Sequence, residues 1–217
     1  MGIEKTRRLA RESVYWPNIN RHIDELVKAC SYCQESQPKQ QREPLEPHQV
    51  PSTPWTKLGT DLFEIHGDNY LLIVDYHSKY PVVHKLNSTT SAAVAGITSH
   101  TFSLLGAPAE VMSDNGPQFV GKHYEDMCNT WGIKNTTSSP RYPRSNGFVE
   151  RSVRTVKSVI KKCQKSGQNV DIALLNLRVT PVDSKLPSPA EILFGRPIQI
   201  TLPNNHLQAN PQKAETS

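Results

Sequence analysis

The chain has 217 residues, 36% of them hydrophobic and 21% charged, and a formal charge of +5, so it can close a core and is not disordered throughout. Its longest uncharged stretch, between Lys85 and Glu110, is studded with Ser, Thr, Asn and His, unlike the ~20 mostly apolar residues of a membrane helix, and no membrane partner is expected. The opening MGIEKTRRLARES is charged from Glu4 onward, which is not the pattern of a signal peptide; a nuclear protein, cytoplasmic before import, is expected.

Residues 3–35 read as a small helical module: IEKTRRLARES, a stop at Tyr15-Trp16-Pro17, then NINRHIDELVKAC with Ile19, Ile23, Leu26 and Val27 at helical spacing. Cys30 and Cys33 close it as a C-x-x-C pair, a metal-binding or redox pattern in a chain too poor in cysteine for a disulfide scaffold. Residues 36–54 carry five prolines among glutamines and charges and form an extended linker. From Trp55, TKLGTDLFEI, YLLIVDY and YPVVHKL read as three strands of a meander, the first two joined by a turn at Gly67-Asp68-Asn69. TTSAAVAGITSHTFSLLG then reads as a helix ended by Gly106, AEVMSD as a buried strand, QFVGKHYEDMCNTWG as one helix ended by Gly132, and IKNTTSS as a fifth strand. The class is α/β, a mixed sheet with helices on its faces. The loop PRYPRSNG leads into a long helix from about Phe148 to Gln164; two short helices follow, the second opened by Ser188 with Pro189 at its first position. Residues 204–217 read as a flexible tail.

The positive charge is concentrated. Residues 141–166 hold eight Lys and Arg and a single acid, Glu150, which is either a solvated helix face or a surface for a polyanion. On the long helix Val149, Val153, Val156 and Ile160 form a core-facing stripe. Glu150, Arg154, Lys157 and Lys161 repeat its spacing one residue on, about 100° around the helix.

Two further acids sit where a sheet would present them. Asp61 lies inside the first strand, on the face shared by Gly59 and Phe63, where a glycine leaves room for a ligand. Asp114 ends the buried strand, and Asn115-Gly116 turns the chain away from it. Asp75 is a competing candidate, but it precedes a hairpin turn and reads as a turn stabiliser. Three carboxylates from separate elements beside a basic helix suit two-metal phosphodiester chemistry, because Mg²⁺ takes hard oxygen ligands and keeps open positions for phosphate. The basic side chains would hold the DNA backbone.

Thirty-five residues separate Asp114 from Glu150. This D,D-35-E spacing, with GTDLFEI, SDNGPQF and SSPRYPRSNGFVERSVRTVK, resembles the catalytic core of retroviral-type integrases, those of gypsy-type LTR retrotransposons above all. YWPNINRHIDELVKACSYCQ is similar to the second half of their zinc-binding amino-terminal module, and SPAEILFGRP to the helix after the core. The resemblance spans about residues 3–203. It implies a ribonuclease H-like fold over 55–203 preceded by the helical segment 1–35, with Asp61, Asp114 and Glu150 as ligands of Mg²⁺ or Mn²⁺. It implies trimming of DNA 3′ ends followed by joining to target DNA, in a homo-oligomer, with Arg144, Asn146, Arg154, Lys157 and Lys161 along the DNA. The family's zinc site is H-H-C-C. Its two histidines would lie upstream of a point corresponding to Gly2, so Cys30 and Cys33 make half a site, and zinc is expected only if that pair is supplied there; His22 reads as a surface residue. Arg144 stands where the family usually has Gln.

Two readings of function follow, a DNA-joining enzyme core and a host-captured, catalytically silent DNA-binding or assembly protein. A relative cleaving RNA in RNA–DNA hybrids would share fold and metals, but the 35-residue spacing and the helix start SNGFVER favour joining.

Overall fold

The three strands expected after Trp55 are β1 (Lys57–Ile65), β2 (Asp68–Asp75) and β3 (Pro81–Leu86) in a computed structural model that describes residues 3–31, 51–137, 147–183 and 186–201. β1 and β2 are antiparallel, with Ile65 opposite Asp68. The connection is therefore the pair His66-Gly67, both at positive φ (50° and 84°), as a two-residue type I′ hairpin turn requires. The turn falls one residue earlier than the sequence suggests, because Asp68 and Asn69 already pair in the ladder. β2 and β3 are also antiparallel, completing the meander.

Helix α3 (Ser91–Leu105) carries the chain across to β4 (Glu110–Ser113), which runs parallel to β1. It begins at Thr90, whose side chain accepts from the Ala93 amide, and ends at Gly106. β5 (Lys134–Thr137) adds parallel to β4, and the sheet order is β3-β2-β1-β4-β5. Leu71, Leu72 and Ile73 are consecutive and all fully buried, so β2 is covered on both faces, as expected of an inner strand with helices on its sheet.

The segment expected as one helix up to Gly132 is two, α4 (Pro117–Val120) and α5 (Lys122–Trp131). Gly121 between them is extended (φ −74°, ψ 148°), and a Cβ there would run into Ser91 Oγ at 2.6 Å and the Pro117 carbonyl at 2.9 Å. Ser91 Oγ in turn accepts from the Tyr124 amide at 3.2 Å. Close approach to the start of α3 thus overrides the helical periodicity.

The long helix is α6 (Gly147–Ser166), followed by α7 (Val170–Val179) and α8 (Pro189–Phe194). Ser188 caps α8 in a capping box with Glu191. The stripe Val149, Val153, Val156 and Ile160 is buried as expected. The chain divides into two compact units, Glu43–Lys157 with the sheet, and Met1–Arg42 together with Ser158–Ser217.

In the second unit, α1 (Ile3–Ser13) and α2 (Ile19–Ala29) share a small core of Ile19, Ile23 and Val27 with Ile3 and Ala10 packed on it. Leu26, expected on that stripe, is 70% exposed; the stripe of so short a helix closes on three positions. Arg7 bridges α1 to Asp24 of α2 at 2.5 Å. Arg8 donates to the carbonyls of Pro181 and Val182 just beyond α7, a favourable place for a cation at a helix C-terminus.

Candidate active site

The position of Asp61 follows from strand pairing. β1 and β4 pair from Lys57–Glu110 to Gly59–Met112, and carrying that register on by two residues sets Asp114 opposite Asp61. Strands are ~4.8 Å apart, so two carboxylates at the C-terminal end of a parallel pair stand side by side. Asp114 is turned by its own local structure: its Oδ1 accepts from the Gly116 amide at 2.9 Å. A Cβ at 116 would stand 2.9 Å from that oxygen and closer still to Gln118, so glycine permits the turn.

The third acid comes from α6. Val149 is fully buried, and a Cβ on Gly59 would overlap Val149 Cγ2. The space beside Asp61 that the sequence assigns to a ligand is thus occupied by the helix; glycine at 59 lets α6 lie close on β1. Along the same strand face, Lys157 Nζ stands 5.7 Å from the centroid of Phe63. Gly59, Asp61 and Phe63 therefore face α6 from Val149 to Lys157, and Glu150 sits in the helix's first turn.

Electrostatics report the convergence. The Asp61 carboxyl is pushed up to about 6, first by burial, then by the charge of Asp114 and, more weakly, of Glu150; the Leu62 backbone amide and Lys157 oppose the rise. A half-buried carboxylate facing two others with one lysine for compensation is a hard-oxygen donor set with surplus negative charge, and such a set fits a divalent cation. Among the described residues, no three His, Cys, Asp or Glu side chains stand at distances that would hold one ion between them. The acids are near enough to repel one another without closing on a centre.

The other anticipated residues fall into two groups. Arg154 and Lys161 are exposed and Lys157 half-buried on α6; none of the three forms a salt bridge among the described residues. Arg144 and Asn146 lie outside the described residues, as does Cys33. Cys30 follows the last turn of α2, half-buried. His22 is exposed, with its Nδ1 accepting from the Trp16 indole at 2.9 Å. The described residues alone therefore do not complete a zinc site.

Asp75 is the contrasting acid. It is fully buried, its Oδ1 accepting from the His77 amide and its Oδ2 from the Ser78 amide and hydroxyl. It holds the β2–β3 turn. The sequence gives no signal for Lys79 in that turn, a lysine at φ 66° that touches the start of α6.

Comparison with known proteins places this geometry. Residues 51–143 match the family described as integrase core domain, and residues 1–39 the integrase zinc binding domain. An uncharacterized protein of Caenorhabditis elegans is 34% identical over 93% of this chain, and the Gag-Pol polyprotein of Walleye dermal sarcoma virus 32% identical over 87%. The chain spans 16% and 11% of the length of those relatives. Among solved structures, the catalytic core domain of BIV integrase superposes with a TM-score of 0.57 at 24% identity, covering 65% of this chain and 95% of that one. The HTLV-2 integrase catalytic core domain, solved in complex with magnesium, gives 0.54 at 23% identity, covering 65% of this chain and 98% of its own. These likenesses establish the ribonuclease H-like fold of the sheet unit. The chain belongs to the integrase family, with an integrase core domain at 51–143 preceded by an integrase zinc binding domain at 1–39.

Proposed function

We propose that this chain is the catalytic part of a retroelement integrase, of the gypsy type, that trims DNA 3′ ends and joins them to target DNA. The observation that carries the reading is the convergence of Asp61, Asp114 and Glu150 from three separate elements, where burial first, and then the charges of Asp114 and Glu150, push the Asp61 carboxyl up to about 6. Asp61, Asp114 and Glu150 would hold Mg²⁺ or Mn²⁺, which when bound stabilises the attacking and leaving oxygens of an in-line displacement at phosphorus. The protein's own groups position the DNA: Arg154, Lys157 and Lys161 neutralise backbone phosphates along α6, and Arg144 and Asn146 meet the DNA end. The trimming step hydrolyses one phosphodiester. The joining step forms one to the new 3′-hydroxyl as it breaks one in the target, so it needs no external energy source.

In this reading residues 1–35 carry half of an H-H-C-C zinc site, Cys30 and Cys33, which holds Zn²⁺ only if a histidine pair is supplied upstream. Residues 36–54 are a linker, 55–203 the core with its following helices, and 204–217 a tail. The partners are element ends, target DNA and further copies of the chain, and the compartment is the nucleus. The basic face of α6, where Arg154, Lys157 and Lys161 form no salt bridge among the described residues, also suits a second reading, a host-captured, catalytically silent DNA-binding or assembly protein on the same fold. A joining assay decides between them, with a labelled duplex carrying the element's terminal sequence, a plasmid target, and Mg²⁺ or Mn²⁺. Joined product from the wild type, lost in Asp61→Asn, Asp114→Asn and Glu150→Gln, supports the enzyme. Joining retained in any variant rejects the triad, and salt-sensitive binding without joining by the wild type supports the second reading.

A further inference from the structure

Glu150 stands in the first turn of a helix. That is where backbone amides lack intrahelical partners and helices fray, so a carboxylate there needs something to fix its position. Packing of Val149 on Gly59 fixes one side of the turn. The other side carries Phe148, whose ring lies 4.7 Å from that of Tyr76, tilted by 48°. Tyr76 is itself immobilised: it is 2% exposed, and its hydroxyl donates to Met112 Sδ at 3.3 Å.

Lys79 closes this arrangement. Its ammonium lies 4.3 Å from the Phe148 centroid and donates to the Tyr76 carbonyl. Its backbone is held by the Asp75 carbonyl, which accepts from the Lys79 amide at 3.0 Å. At φ 66° the residue occupies a conformation that glycine adopts freely and a lysine does not. A lysine here sacrifices local ease, and what its side chain gains is the contact with Phe148. Burial lowers the Lys79 ammonium from its ordinary value; Asp75 opposes that and Arg151 adds to it. The ammonium is thus partly desolvated, the condition in which a cation over an aromatic face counts most.

We infer that Lys79 is a positioning residue for Glu150: through the Phe148 ring it pins the first turn of α6 to the β2–β3 turn, and so sets where that carboxylate stands relative to Asp61. The catalytic consequence rests on Glu150 being an acid of the reaction, but the pinning does not. The informative variant is Lys79→Gly, which removes the ammonium while relieving the backbone, so the fold should not be weakened. Lys79→Arg keeps a cation for the ring and serves as the rescue.

Hydrogen exchange on the metal-free chain should show faster exchange over the first turn of α6 in Lys79→Gly, unchanged exchange in the helix's second half, and wild-type behaviour in Lys79→Arg. In the joining assay, Lys79→Gly should lower kcat by roughly tenfold to a hundredfold, the scale of small misplacements of a reacting group, with KM for DNA unchanged. Unaltered exchange at the first turn overturns the inference, as does a rise in KM at constant kcat, which would make Lys79 a DNA contact. A wild-type chain that joins no DNA defeats the functional reading alone, since exchange still decides whether Lys79 holds the helix.

Discussion

Asp61 and Asp75 lie on adjacent antiparallel strands, Asp61 opposite Leu72 and Asp75 opposite Leu58, yet their surroundings are opposite in kind. Asp75 is wholly buried and meets three donors, all within its own turn. Asp61 is less buried, faces two other carboxylates, and is raised to about 6. Burial alone does not separate a structural acid from a chemical one; the state of its partners does. A satisfied carboxylate holds the fold, whereas a crowded, undercompensated one stores unfavourable electrostatics that only a cation or a proton relieves.

The largest test of that contrast is catalytic. Asp61→Asn should cut joining by on the order of a thousandfold or more, as when a group at a reacting centre is removed, while Asp75→Asn, which can act on Glu150 only through the β2–β3 turn, should cost no more than about a hundredfold in protein that remains folded. Equal losses in the two variants, measured per folded molecule, would erase the distinction.

The basic face of α6 sharpens the same division, because Lys157 faces Asp61 and shares its side of the helix with Arg154 and Lys161. Replacing Arg154, Lys157 and Lys161 together with Ala should flatten the slope of log affinity against log salt by roughly two to three units, at ~0.9 per phosphate contact. The buried stripe of Val149, Val153, Val156 and Ile160 is untouched, so circular dichroism should not change. An unaltered slope would make these residues a solvated face.

A smaller effect, of opposite kind, is expected at the satisfied acid. Asp75→Ala strands two amides and the buried Ser78 hydroxyl, and unfolding in urea should show a loss of ~2–4 kcal/mol, the range for orphaned buried donors. A loss below ~0.5 kcal/mol would mean that the turn holds without its carboxylate.

Much of this was legible in the sequence for physical reasons. Period-two runs bounded by turn residues gave the meander. Gly106, Ser188 and Pro189 marked helix ends through capping chemistry, whereas the cap at Thr90 was read as part of the helix itself. Asp61 and Asp114 were legible as acids on strands, because a strand's alternation and its terminal turn are local. What escaped depends on contacts distant in sequence. Gly121 breaks a helix-like stretch because Ser91 crowds it, thirty residues earlier; Gly59 reads as space for a ligand until Val149 fills it from the far side of the chain. Lys79 looks like any surface lysine until Phe148 lies against it.

The subtlest expectation concerns pH. A carboxyl whose folded value lies near 6, against ~3.9 in an unfolded chain, holds its proton more tightly when folded. Its contribution to stability is fully present below about pH 4 and is lost as pH rises through about 6. For two pKa steps the loss is at most ~3 kcal/mol, less for a group that water partly screens, or a few degrees in Tm. The measurement is the difference between wild type and Asp61→Asn in thermal unfolding of metal-free protein from pH 5 to pH 7, which cancels every group the two proteins share. The variant should be the more stable at pH 7, and its advantage should shrink toward pH 5. Mg²⁺ should reverse the order: it competes with the proton for Asp61, so it should raise the wild-type Tm more at pH 7 than at pH 5 and leave the variant nearly unmoved. Parallel pH curves for the two proteins would show that the folded Asp61 carboxyl is not raised. A Tm unmoved by Mg²⁺ in the wild type would leave the three acids without the cation that their arrangement fits.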